Sequence, residues 1–327
     1  YVLTVDYPVV GLGAFGSSMA VMTTGNPYVV TGSAPESMVM EKLEINLPCL
    51  SARGIVDLGY AVAYPSHEGL VTISNNGAVP ITKNTIGKEQ WRELNPSGFV
   101  AGQYNGRYMA SYSRGTLDGG EERGIIIIDT SGEVAHVTRA SDFAEDMHYQ
   151  IETGALYLLR NGTEVWEWDA PGESNGELVW RSKPIVHTGY TNYAFIYIEA
   201  EGAMSPEQAA AIREKINQIR AQNRALMESG SIGGELAGAF MAGVTFAGDR
   251  LIPTDDYAGG SSGTIYEDAL AVTVYADGRP VAIITDLNEP ARLPSGFLAK
   301  AWEFEVRGNM VVYGVTLGMA PSELAGT

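Results

Sequence analysis

RYMASYSRGTLDGGEERGIIIIDTSGEVAHVT, from Arg107 to Thr138, holds four consecutive isoleucines, Ile125–Ile128. Four isoleucines in a row cannot face water, so this is a buried strand. The stretch follows a plan: an apolar or aromatic strand, a polar turn carrying Gly, then a second apolar strand. Three other stretches repeat it: Ser18–Ser33 (SMAVMTTGNPYVVTGS), Tyr60–Thr82 (YAVAYPSHEGLVTISNNGAVPIT) and Gly154–Asp169 (GALYLLRNGTEVWEWD). Their starts lie roughly 40–50 residues apart, the interval of a four-stranded propeller blade. No copy can bury its apolar face alone, so the copies must pack side by side.

The hairpin turns support this reading. Asn105-Gly106 and Asn161-Gly162 each sit between two apolar runs, and Asp277-Gly278 joins Leu270–Tyr275 to Val281–Thr285. Asn-Gly and Asp-Gly accept the left-handed backbone that a two-residue hairpin turn needs. The chain carries 39 Gly and 15 Pro in 327 residues, as a many-stranded protein must.

Two helices interrupt the strands. Lys83–Leu94 (KNTIGKEQWREL) reads as a short helix with Trp91 and Leu94 on one face, ended by Asn95-Pro96. The second begins at Ser205. Ser205 is an N-cap, Pro206 fits the first turn, and Gln208 completes a capping box. Its apolar stripe is Ile212, Ile216, Ile219, Asn223 and Leu226; the opposite face carries Arg213, Lys215, Arg220 and Arg224. At about 23 residues it is roughly 35 Å long. Gly230–Gly263 is Gly-rich and weakly patterned. Beyond it, strands spaced near ten residues suggest a small β-sandwich, with the helix inserted after its first strand.

Composition narrows function. Hydrophobic residues make up 45% and charged residues 18%, which is a packed globular chain. The net charge is −18, so gripping a nucleic-acid backbone is disfavoured. The single cysteine, Cys49, cannot form an intrachain disulfide or a cysteine metal cluster. No apolar run reaches the ~18 residues of a membrane span, so no membrane insertion is expected. The chain starts at Tyr1 and not at Met, consistent with an upstream part lying outside it.

Candidate chemistry is sparse. Gly11-Leu-Gly-Ala-Phe-Gly16 matches the dinucleotide pattern, but that mechanism needs a helix immediately after it. Ser17–Met22 followed by Thr-Thr-Gly-Asn-Pro27 reads as a hairpin instead. His67, His136, His148 and His187 form no close ligand pair. Asp118–Glu122 and Asp255-Asp256 lack the spacing of a calcium loop. Trp166-Glu-Trp168 presents both rings to one face of a strand, the feature a glycan platform would use. No catalytic, cofactor-binding or metal-binding residue is assigned, and no cofactor is expected.

Several segments resemble a known family. Arg53-Gly-Ile-Val-Asp57, Tyr64-Pro-Ser-His-Glu-Gly-Leu-Val71, Glu89-Gln-Trp91, Leu94-Asn-Pro96 and Asn105-Gly-Arg-Tyr108 are similar to the β-propeller part of tail nozzle (hub) proteins of short-tailed bacteriophages, the group that includes packaged-DNA stabilisation proteins. Val179-Trp-Arg-Ser-Lys183, Leu293-Pro-Ser-Gly-Phe297 and Ala301-Trp-Glu-Phe-Glu-Val306 are similar to the later part of such proteins. The resemblance implies a virion protein assembled in the host cytoplasm, a homo-oligomer forming a hexameric ring below the portal and adaptor. It further implies tail fibre or needle proteins as partners and DNA passing along the axis without specific binding.

The expected architecture is mainly β: β-propeller-like repeats over residues 1–175, a β-sandwich over 176–202 and 264–327, and a helical insertion over 203–263. The expected function is structural and not enzymatic. Arg213, Lys215, Arg220, Arg224 and Trp91 are the expected subunit contacts, with the loops at Lys83–Leu94 and Gly115–Gly124. A glycan-binding propeller is the alternative, and a propeller glycosidase a weaker one.

Overall fold

A computed structural model describes residues 2–115, 121–130, 132, 135–171, 176, 178–228 and 269–324. The fold is mainly β, and the chain divides into two compact units, Tyr1–Ala170 and Pro171–Thr327.

Among its described residues the first unit forms four consecutive antiparallel sheets. The first holds β1 (Val9–Phe15), β2 (Ser18–Thr23), β3 (Tyr28–Thr31) and β4 (Val39–Lys42). The second holds β5 (Val56–Asp57), β6 (Val62–Ser66), β7 (Gly69–Ser74) and β8 (Gly77–Pro80). After the short helix α1 (Lys88–Glu93) comes the third: β9 (Val100–Tyr104), β10 (Arg107–Gly115), β11 (Glu121–Asp129) and β12 (His136–Ala140). The fourth has three strands, β13 (Asp146–Gln150), β14 (Ala155–Arg160) and β15 (Glu164–Glu167). Within each sheet the strands pair in chain order. The opening strands touch in sequence, β1 with β5, β5 with β9 and β9 with β13.

Side-chain alternation shows what holds the sheets together. Ile126 and Ile128 join Tyr108, Ala110 and Tyr112 in one core with Ala63 and Leu70 of the second sheet. Their neighbours Ile125 and Ile127 point the other way, joining Met109 in a core with Leu156 and Leu158 of the fourth. The second sheet repeats the device, sending Val62, Tyr64, Val71 and Ile73 against Phe15, Ala20 and Met22 of the first. Each inner sheet is thus apolar on both faces, which explains the unbroken Ile run. Beyond the first sheet, Val21, Tyr28 and Val30 are covered by Leu3, Val5, Met19, Met38 and Met40.

The hairpin expectations hold. Asn105 and Gly106 have φ of 50° and 72°, and Asn161 and Gly162 have 50° and 69°. Both central residues are left-handed, as the expected turn demands. Strand β4 ends at Lys42, and Asn26 Nδ2 holds the chain beyond it by donating to the Leu43 and Ile45 carbonyls at 3.2 and 2.9 Å.

Among its described residues the second unit contains two sheets. In the wider one, β22 (Ala299–Gly308) pairs on one side with β19 (Leu270–Ala276), which pairs with β20 (Arg279–Ile284). On its other side β22 pairs with β16 (Leu178–Arg181) and β17 (Ile185–Thr191). The narrower sheet has the order β21 (Ala291–Arg292), β18 (Phe195–Ala200), β23 (Val312–Gly318). Ile196 and Ile198 of one sheet share a core with Leu270, Val272, Val274, Trp302 and Val306 of the other.

Helix α2 (Pro206–Glu228) covers the opposite face of the wider sheet, setting Ile212 and Ile216 against Ala269 and Ala271. The capping box is as read: Gln208 N–H donates to Ser205 Oγ at 3.2 Å, and Ser205 N–H to Gln208 Oε1 at 2.8 Å. Among the described residues three strands of this unit precede α2, not one, because β16 and β17 both align on the long β22. The remainder of the expected 203–263 insertion lies outside the described residues. Among the described residues no helix is long and apolar enough to cross a membrane.

Candidate functional site

Trp91 is not a surface contact. Its side chain is fully buried, its indole N–H donates to the Ser66 carbonyl at 2.7 Å, and its ring meets Phe99 edge-on at 5.5 Å. Helix α1 is amphipathic, and its apolar face is used internally to fill the core between the second and third sheets. The remaining expected contacts lie on α2 and the loops. Arg213 is exposed and Lys215 half-buried, while the Arg220 and Arg224 side chains lie outside the described residues. Of Gly115–Gly124, residues 116–120 fall outside the description. The flanks are strand, with Arg114 paired to Glu122 and Gly115 opposite Glu121.

The glycine pattern at Gly11–Gly16 has a packing cause. It forms β1 and the turn into β2, with no helix after it. A Cβ on Gly11 would come within 2.4 Å of Ile55, and one on Gly13 within 2.6 Å of Val62. These glycines let the first two sheets approach closely. The tryptophan pair does not make an open platform either. Trp168 packs with the core of Leu156 and Leu158, while Trp166 is exposed beneath the Arg160 guanidinium. Among the described residues no group of three His, Cys, Asp or Glu side chains is placed to hold a metal ion. The possible calcium ligands Asp255 and Asp256, like Asp118, lie outside the description.

The densest buried charge lies on the helix-bearing face of the wider sheet. Glu303, Glu305 and Arg307 alternate along β22 and are 8%, 4% and 3% exposed. From β16, Arg181 sends its Nη2 to Glu303 Oε2 at 2.9 Å and its Nε to the same oxygen at 3.0 Å. Its guanidinium also lies 4.1 Å from the centroid of the Tyr275 ring, whose hydroxyl donates to Glu305 Oε2 at 3.1 Å. The arrangement ties β16, β22 and β19 together. Its two carboxylates are held by a cation and a phenol, as buried carboxylates must be paired to remain in the interior.

The second feature is found at two of the open sheet edges. Among the described residues β15 is bonded only to β14, and β16 and β17 only to β22. Both edges expose large apolar groups: Val165 and Trp166 on β15, and Ile185, Val186 and Tyr190 on β17. Composition could have revealed their contrast. Residues 161–180 contain five acids and no base, whereas 178–198 contain no acid but include Arg181 and Lys183.

Cys49 is buried, donates to the Ser51 carbonyl at 3.4 Å, and burial pushes its thiol pKa up to about 12. Burial also raises Tyr64 and Tyr108 above the usual phenol value. In an unfolded chain the thiol ionises near about 8.5, so between there and about 12 the folded state holds the extra proton. Stability is therefore intact below about pH 8.5 and declines as pH rises toward 12. Urea midpoints measured from pH 7 to 11 should fall at the alkaline end. Cys49 should resist thiol reagents at pH 8 until the protein unfolds. Rapid labelling of the folded chain would contradict this burial.

No protein-family model matches the chain, and no curated protein matches it.

Proposed function

We propose that this chain is a structural subunit of the tail nozzle of a short-tailed bacteriophage, a homo-oligomeric conduit for DNA that docks neighbouring tail proteins. The observation that carries the reading is the stack of sheets in residues 9–167. Sheets sharing apolar cores on both faces form a stiff body, and their opening strands meet in succession as the inner strands of propeller blades do. We take the first unit as a β-propeller-like array and the second as a β-sandwich with a covering helix.

Charge supports the same reading. A conduit wall must not hold outgoing DNA, and every Lys or Arg on it would add a phosphate contact to break. A chain of net charge −18 meets that requirement. The segments quoted for the family resemblance fall in both units, so the reading draws on the whole chain.

Imaging tests it. Negative-stain particles of the purified chain should be rings with an axial opening, and excess duplex DNA should not co-sediment with them at physiological salt. Isolated single copies, or tight retention of DNA, would count against a conduit.

A further inference from the structure

We propose that copies of this chain join head to tail, the β15 edge of one copy adding to the β16–β17 edge of the next. The inference rests on the homo-oligomer reading and names its surface. An open strand edge presents unpaired N–H and C=O groups that template another strand, and soluble proteins usually protect such edges. Both edges keep large apolar groups in water: Val165 is 68% exposed on one and Val186 71% on the other.

Charge selects the occupant. Two copies that each carry −18 repel over most of their surfaces. The β15 edge bears Glu164 and Glu167 in a stretch without a base, and Lys183 lies between β16 and β17 in a stretch without an acid. Pairing β15 with a second β15 would set Glu164 and Glu167 against their own kind. Pairing it with β16–β17 of another copy sets acid against base and Val165 and Trp166 against the adjacent Ile185 and Val186. The contact uses different patches on the two copies, so it propagates and closes into a ring when the rotation allows.

Cross-linking decides it in the 327-residue chain, where Cys49 is buried and serves as the silent background. Val165→Cys and Val186→Cys are made separately and together, and treated with a short bis-thiol reagent. Neither single variant should cross-link to itself, their mixture should give covalent dimers, and the double variant should give a ladder of oligomers. Self-linking of a single variant, or a double variant linked only within one chain, overturns the proposal. A charge series gives an independent reading. Glu164→Lys with Glu167→Lys should weaken self-association at least tenfold at low salt, and adding Lys183→Glu should restore part of it. Association unchanged by the two lysines also overturns it. If the protein is oligomeric but the edges do not cross-link, this surface is wrong and the conduit reading stands; if the protein is monomeric throughout, both fall.

Discussion

Replacing Trp91 with Ala should destabilise the first unit by about 3–5 kcal/mol, the usual cost of removing a large aromatic from a core. The residue is fully buried among Leu94, Phe99, Tyr108 and Ile128, and its indole N–H satisfies the buried Ser66 carbonyl. Truncation opens a cavity between the second and third sheets and strands an acceptor. For a unit of this size the melting temperature should fall by roughly 6–20 °C. The native mass of the protein that remains folded should not change. A variant with an unmoved melting transition and a reduced mass would return Trp91 to a subunit interface.

Arg181→Met should cost the second unit a similar amount, about 3–5 kcal/mol, because it leaves the Glu303 carboxylate buried without its cation. Both side chains are largely excluded from water, at 13% and 10% exposure. The loss of Arg181 stacking on Tyr275 adds to the effect. The double variant Arg181→Met with Glu303→Leu should recover most of the loss, since an apolar pair of similar volume commonly replaces a buried ion pair without penalty. Urea unfolding of the two single variants and the double one completes the cycle. Additive losses in the double variant would mean the two residues act independently.

Much of the fold is legible because its determinants are local. Ile125–Ile128 demands cover on both sides, and the structure supplies a different sheet to each alternate residue. Asn105-Gly106, Asn161-Gly162 and Asp277-Gly278 fix three hairpins through left-handed backbone. The Ser205–Gln208 box marks the start of α2. What the chain does not announce is which surfaces meet. Trp91 and Leu94 form an apolar stripe on a short helix, and nothing local says whether a sheet of the same chain or another subunit covers it. Trp302-Glu-Phe-Glu-Val-Arg307 alternates like a strand with one wet face. Glu303 and Glu305 on its charged side are held in the interior by Arg181 and Tyr275, distant in sequence. Gly11, Gly13 and Gly16 imitate a nucleotide loop, although two of them exist to admit Ile55 and Val62.

On the proposed reading the chain is an acidic building block whose use depends on assembly. Light scattering coupled to size exclusion, run over a hundredfold range of concentration, measures that dependence. The expected mass is a fixed multiple of 35.0 kDa that persists on dilution at physiological salt. A single species at 35.0 kDa across the whole range would contradict it.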